Sequence, residues 1–346
     1  MNAFDIVMLQ GVEPWNLLGL QAHLLEVVAT KEARPFLLIY AMRGRTLSLG
    51  RSHLYDGPTE RAGLSTWRRL TGGRLVGSGE GWLGLALILP SRDALLPDHD
   101  RKLKPDQVMN RYVRGLLAGL RELGLECFYP GRDVVTFERR EIAMCTFETD
   151  ASGAMLFEAA VAVNRGMEEV VQDLEHFDPA GQLPCAMYGP DAATKLVREL
   201  DRDVTFAEVA GAIARGYSNL LGGGDRRELT PIENAHAERR GVSLEQRGWL
   251  QLSADGNLSS RMASQLGSIE ARIRASPDGV VDTIDLAGDF IANSPGIAAF
   301  QSAMSGKRLD VASVTAAVMK VFGHGDNFML GIGELSNLVK LVTRAQ

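Results

Sequence analysis

The stretch "WRRLTGGRLVG", residues 67–77, places two arginines before a Gly-Gly pair, a third arginine after it and an apolar run beyond. Glycine has no Cβ, so Gly72 and Gly73 mark a place where a ligand or another segment of backbone comes close. Arg68, Arg69 and Arg74 supply planar, permanently charged donor forks that suit a carboxylate or a phosphate. A surface hairpin with solvated arginines would carry the same residues, so the loop has to be weighed against its surroundings.

Those surroundings alternate short strands with helices. Upstream, "WNLLGLQAHLLEVVA" (15–29) spaces Leu17, Leu20, Leu24, Val27 and Val28 as a helix does, and "PFLLIYAM" (35–42) suits an interior strand. "RTLSLGRS" (45–52) alternates and turns at Gly50, and "LGLALILP" (83–90) is a strand ended by Pro90. Downstream, "PDQVMNRYVRGLLAGLRELG" (105–124) is an amphipathic helix with Val108, Tyr112, Leu116, Leu120 and Leu123 on one side and Gly124 just past its end. "DVVTFERREIAM" (133–144) reads as a hairpin with "ERR" near its tip, and "GAMLFEAAVAVN" (153–164) as a further strand. Thr205 with Glu208, ahead of "FAEVAGAIARGYSNLL", forms a capping-box pattern, and another helix begins near "TPIENAHAERR". The series is not a regular βαβ repeat, so the expected class is α/β of the α+β kind: mixed, largely antiparallel sheets flanked by helices. The polar, turn-rich "SADGNLSS" (253–260) reads as a linker. It divides a main domain, 1–252, from a small α+β domain, 261–346, with strands "SIEARIRAS" and "VVDTIDLAG" and helices "IAAFQSAM" and "DVASVTAAVMKVF".

Composition narrows the class of partner. The chain of 346 residues is 45% hydrophobic and 23% charged, with a net charge of −6. That disfavours nucleic acid, which needs a basic face, while a local basic loop can still hold one small anion. Seven of the 37 basic residues are lysine, and none lies between Lys104 and Lys195. "MNAFDIVML" lacks the basic flank and cleavage site of a secretory leader, and no apolar run has the length of a membrane span, so the expectation is a cytoplasmic protein without a membrane partner. Cys127, Cys145 and Cys185 lack metal-ligand or disulfide-framework spacing. His23, His53, His99, His176, His236 and His324 are scattered, so no metal site is expected. "GEGWLG" (79–84) matches the letters of a dinucleotide fingerprint but leads into a strand, so it reads as a Gly-rich hairpin.

With its context in view, "RRLTGGRLV" resembles the R-R-x-[ST]-G-G-[GR]-x-V signature of the lipoate–protein ligase and octanoyltransferase family. "EPWNLLGLQAHLL" (13–25) resembles that family's opening helix, with Asn16 and Leu17 in place, and "MRGRTLSLGRSH" (42–53) its strand ending in a Gly-Arg-x-[QH] turn. "YPGRDVVTFERREIAM" (129–144) is similar to the family's G-R-N-D-L segment and the hairpin leading to K-[IV]-[SA]-G. "GSIEARI" (267–273), "DLAGDF" (285–290) and "AMSGKRLD" (303–310) resemble the accessory domain of the ligases.

The resemblance implies the biotin/lipoate ligase catalytic fold and attachment or transfer of lipoate or octanoate to carrier-protein lysines. A lipoyl-carrier domain, of the E2 or glycine-cleavage H type, is the implied partner, with ATP and Mg2+ where the acid is adenylated. By match, Arg69, Gly72, Gly73 and Arg74 become acyl- or adenylate-site residues, joined by Arg68, Arg132 and Asp133. The chain departs from the pattern at one chemical point. The lysine of K-[IV]-[SA]-G, which would offset negative charge at the reacting centre, is Glu141 here. Shifting the match by one or two residues offers Arg140 or Arg139, and Gly77 stands where a histidine often follows the Gly-Gly loop. Cys127, in "ECFYPGRD", is a conditional nucleophile for a thioester route, as in cysteine-dependent octanoyltransferases. A buried core thiol is the competing reading. Two further readings stay open: a homologue that binds acyl groups or carriers without catalysis, and an enzyme acting on another carboxylic acid.

Overall fold

The computed structural model describes residues 3–55, 57, 60–61, 63–96, 102–167, 169–170, 192–323 and 325–345. Its main sheet has seven strands in the order β11-β1-β2-β7-β10-β9-β8. These are β1 (Phe4–Val12), β2 (Phe36–Met42), β7 (Trp82–Leu89), β8 (Val134–Phe137), β9 (Arg140–Thr149), β10 (Met155–Ala162) and β11 (Gly224–Arg226). β1 runs parallel to β2 and β11, and the other pairs are antiparallel. The sheet is therefore mixed and largely antiparallel, as the irregular alternation of elements predicts. A second sheet, in the order β4-β5-β3-β6, joins β3 (Arg45–Leu49), β4 (Glu60–Arg61), β5 (Leu64–Arg68) and β6 (Val76–Gly79).

Period-two alternation decides what covers each face of the main sheet. Leu37, Ile39, Leu85, Leu87 and Phe157 pack with α2 (Pro105–Glu122) and α4 (Phe206–Leu221), through Val108, Tyr112, Leu116, Leu120, Val209 and Ile213. The alternate residues Phe36, Leu38, Ala86, Ile88 and Leu156 pack with α1 (Pro14–Ala29). A short α3 (Leu196–Leu200) joins the first cluster, and α5 (Pro231–Gln246) lies along α1. The α1–α5 contact is close because it is glycine on both sides: a Cβ on Gly19 would sit 2.0 Å from the Ala237 carbonyl oxygen, and one on Gly241 2.4 Å from that of Trp15. The expected cap forms, with the Thr205 hydroxyl accepting from the Glu208 amide, and the Thr230 hydroxyl caps α5 likewise from the Glu233 amide.

Three features differ from the sequence expectations. "GEGWLG" is not a hairpin: β6 pairs with β3 in the small sheet while β7 pairs with β2 and β10 in the large one. Gly79 and Gly81, at φ +83° and +84°, let the chain leave one sheet and enter the other within three residues. The edge strand β11 follows directly on the glycines that end α4, and its three residues are too few for a periodic signal. In the hairpin 134–149, the pairing register shifts between Val135 and Thr136, which lie opposite Ala143 and Glu141 and leave Ile142 as the extra residue.

The C-terminal part builds its own cluster. A three-stranded sheet of β12 (Leu258–Ala263), β13 (Ser268–Ala275) and β14 (Val281–Gly288) packs with α6 (Ser294–Met304), α7 (Val311–Phe322) and α8 (Leu335–Thr343) through Ile273, Ile284, Phe300, Val318 and Leu341. A two-stranded sheet of β15 (Ile291–Ala292) and β16 (Met329–Leu330) faces the main body. Phe328 stacks on Phe147 of β9 at 4.6 Å between ring centroids, and Ile291 and Leu266 enter the main core. Among the described residues no helix is long and apolar enough to cross a membrane.

Candidate active site

The large and small sheets flank a narrow slot with a cavity volume of about 30 Å³. Its floor is the period-two row of the large sheet: Thr146 opposite Glu158, then Met144 opposite Ala160, then Gly84 opposite Tyr40. Its roof is Ser48, Trp67, Val76 and Ser78 of the small sheet. Small residues make the depression, and Gly84 is required: a Cβ there would lie 2.1 Å from the Tyr40 ring. One end of the slot meets the Gly-Gly loop, where the Thr146 hydroxyl donates to the Gly72 carbonyl at 3.0 Å.

The loop is built from inside. Arg68 is 2% exposed and donates to the carbonyls of Gly50, Arg51, His53, Trp249 and Leu250. Burial lowers its pKa to about 10, with the Arg51 and Arg69 charges adding to the effect, so it stays charged at neutral pH. Arg69 donates to the carbonyls of Ser48, Gly72 and Arg74 and to the Thr71 hydroxyl. Thr71 Oγ1 donates to Glu158 at 2.6 Å, and Gln21 Nε2 of α1 reaches the same carboxylate at 2.8 Å. Burial raises the pKa of Glu158, against the opposing pull of Thr71 and Arg69. Arg69 therefore braces the loop through its own carbonyls, and Arg68 ties it to the 50–53 turn and to residues 249–250, which differs from the expectation that they hold a ligand.

Arg74 makes the charged corner. Its Nε reaches Asp133 at 2.6 Å and its Nη2 reaches Asp133 at 3.2 Å and Glu141 at 3.5 Å. Three residues expected at the site, Arg74, Asp133 and Glu141, are thus brought together. Glu141 remains part-exposed, and burial raises its pKa more than the Arg74 charge lowers it. Arg140 turns away to Glu199 and Glu138. Arg132 is exposed and donates to the Gln265 carbonyl.

Cys127 is half-buried in the main core's margin. Burial, with the Glu126 and Glu199 carboxylates, pushes its thiol up to about 12, the opposite of what a thiolate nucleophile needs. Cys145 is fully buried on β9, and burial raises its thiol too. Cys185, His99, His176 and His324 lie outside the described residues. His23 and His236, far apart in sequence, meet at 4.6 Å between ring centroids, but no group of three metal-ligating side chains forms among the described residues.

The glycines face the C-terminal part of the chain. Gly73 N–H donates to the Phe290 carbonyl at 2.6 Å, and a Cβ on Gly72 would lie 2.5 Å from that oxygen. Beside it His53 Nδ1 accepts from Gly50 N–H at 2.9 Å, which places the ring proton on Nε2, 2.9 Å from Asp289. Asp289 also accepts from Ser268 N–H, and Gly288 N–H donates to the Ser52 carbonyl. Buried Glu148 accepts from the amide and hydroxyl of Ser294 at the start of α6. Sequence reasoning missed His53, Arg51, Thr146, Glu148 and Glu158. Only the Gly-Arg-x-His turn carries a local signal, and it covers His53 and Arg51, the latter donating to the Leu70 carbonyl and lying over the Trp249 ring.

The comparisons agree with this geometry. Over nearly its whole length the chain superposes on P. falciparum LipL1 in complex with lipoate, with a TM-score of 0.71 at 11% identity, covering 98% of this chain and 99% of that one. A bipartite lipoate protein ligase from Thermoplasma acidophilum, solved in a lipoylation system with its E2 lipoyl domain, gives 0.56 at 17% identity over 74% of this chain and 99% of that one. Lipoate-protein ligase A bound with ATP gives 0.53 at 17% identity over 70% and 95%. No curated protein matches the sequence significantly. The mixed-sheet architecture is thus the lipoate-ligase fold. Since the model of the lipoyl protein ligase A/B catalytic domain matches residues 13–218, the chain belongs to that family.

Proposed function

We propose that the protein moves a lipoyl or octanoyl group onto a lysine of a lipoyl-type carrier domain. The observation that carries this reading is the narrow, mostly apolar slot lined by Thr146, whose hydroxyl holds the Gly72 carbonyl, inside a domain of this family. The acyl chain would lie along Met144, Ala160 and Gly84, with its carbonyl at the loop. Gly73 N–H is the donor suited to that oxygen once the Phe290 carbonyl withdraws. Residues 261–346 act as an accessory domain over the loop, and Cys127 takes no part because its thiol is held protonated.

The described residues of this arrangement do not fit Mg·ATP. Arg68 and Arg69 are used on carbonyls, Arg74 is held by Asp133 and Glu141, and Asp133 is itself taken up by Arg74. A second carboxylate at the corner would repel a phosphate. No step is therefore routed through a nucleotide. Transfer from a carrier that already bears the acyl group is the reaction these residues support, and such carriers are the implied partners.

The test is the intact mass of an apo carrier domain incubated with the protein and either an octanoyl carrier or lipoate with Mg·ATP. Transfer predicts an acyl mass gain with the octanoyl carrier. Gain in neither reaction would refute the activity for these substrates. The second reading, a binder without catalysis, is favoured by the engagement of Arg74 with Asp133 and Glu141. Glu141→Lys separates the two. If the parent is silent and the variant ligates, the parent is a binder. If the variant destroys a parental activity, the binder reading fails.

A further inference from the structure

The contacts between the C-terminal part and the main sheet, beside the Gly-Gly loop, contain one member that stands apart chemically. Glu148 is 1% exposed, and its Oε1 takes both Ser294 donors while its buried Oε2 has no hydrogen-bond partner. An ionised carboxylate with a dry, unpaired oxygen is costly, whereas the protonated acid is neutral. The charged groups around it are few. Arg51, from the turn after β3, is the cation that favours ionisation, and Asp150, beyond the end of β9, opposes it. Across the sheet, β10 offers apolar Leu156, and α6 offers the Ser294 amide and hydroxyl. His53 and Asp289 lie in the same seam, paired with each other.

We propose that Glu148 is a proton-operated latch: protonated, it keeps the Asp289–Ile291 turn seated on the Gly-Gly loop, and ionised, it releases the turn and frees Gly73 N–H. Opening hydrates the carboxyl and lets it lose its proton, so opening and proton release are linked. Burial, opposed by Arg51 and Ser294, holds the seated Glu148 at about 7, against an ordinary value of 4.5. The sign follows from the raised value. Seating is strongest below 4.5, weakens as pH rises towards 7, and is flat above it. Acid therefore closes the loop, and neutral pH makes its donor available. The functional meaning rests on the loop being the acyl site. The seat itself can be read without any substrate.

Amide hydrogen exchange of Gly73 in the full-length protein provides that reading, because its protection factor reports how often the bond to the Phe290 carbonyl opens. Between about pH 4.5 and pH 7 the protection factor, corrected for intrinsic exchange, is expected to fall by up to tenfold per unit, and roughly 300-fold in total. Glu148→Gln should abolish the fall and hold the pH 8 value near the acid one. Should that variant not fold, Ser294→Ala removes one donor to the ionised form, and the fall should continue to higher pH and reach a larger total. A flat wild-type profile, or a slope that persists in Glu148→Gln, would overturn the latch, the second outcome passing the effect to the His53–Asp289 pair. Failure of acyl transfer with the exchange slope intact would refute the proposed function and leave the latch standing.

Discussion

At the scale of single residues, the side chains of the Gly-Gly motif divide between frame and chemistry. Arg68 reads five backbone carbonyls from two parts of the chain and cannot turn to a substrate without leaving them unsatisfied. Arg74 is the loop cation placed between buried Asp133 and part-exposed Glu141. Because the Cys127 thiol is pushed up to about 12, Cys127→Ser is expected to retain most of any transfer activity at neutral pH, and the intact protein should show no acyl thioester at that residue by mass spectrometry. A loss of more than about tenfold in rate, over 1.4 kcal/mol in barrier, would restore the cysteine route. The motif "RRLTGGR" and its glycines are legible in sequence because they are contiguous. Glu158, Glu148 and His53 are not, since each acquires meaning from a partner more than eighty residues away.

Among the elements, legibility follows periodicity. α2 is plain in the sequence because its apolar side meets one core, and β7 because both its faces are buried. The passage from β6 to β7 looks like a hairpin because glycines flank it, and only the pairing partners show that the two strands belong to different sheets. That passage shapes the slot, since β6 roofs it and β7 floors it. Gly84→Ala should displace the Tyr40 ring towards the Gln21–Glu158 pair, weakening acyl binding and costing about 1–3 kcal/mol of stability. Gly19→Ala meets backbone rather than a movable ring, so it should destabilise by a similar or larger amount. Urea unfolding with lipoate or octanoate titration separates the two. Only Gly84→Ala should change the acid's affinity in protein that remains folded.

Across the whole molecule, the buried charge of Glu148 also enters global stability. A carboxyl raised from 4.5 to about 7 stabilises the folded chain fully below 4.5, and that contribution is lost as pH rises through 7. Glu148→Gln should therefore raise the unfolding free energy at pH 8 by about 1–3 kcal/mol and change it little near pH 4.5, as measured by denaturant melts. Lowered stability of the variant at pH 8 would contradict the assignment of a costly charge. The joins between distant segments carry a consequence for synthesis. β1 waits for β11 at residues 224–226, Arg68 waits for the carbonyls of Trp249 and Leu250, and Gly73 N–H waits for that of Phe290. Translation delivers the amino-terminal end first. The Gly-Gly loop therefore emerges from the ribosome early but takes up its final restraints only after most of the protein has been made, and a nascent chain stalled before residue 249 would leave Arg68 short of the Trp249 and Leu250 carbonyls and Gly73 N–H short of that of Phe290.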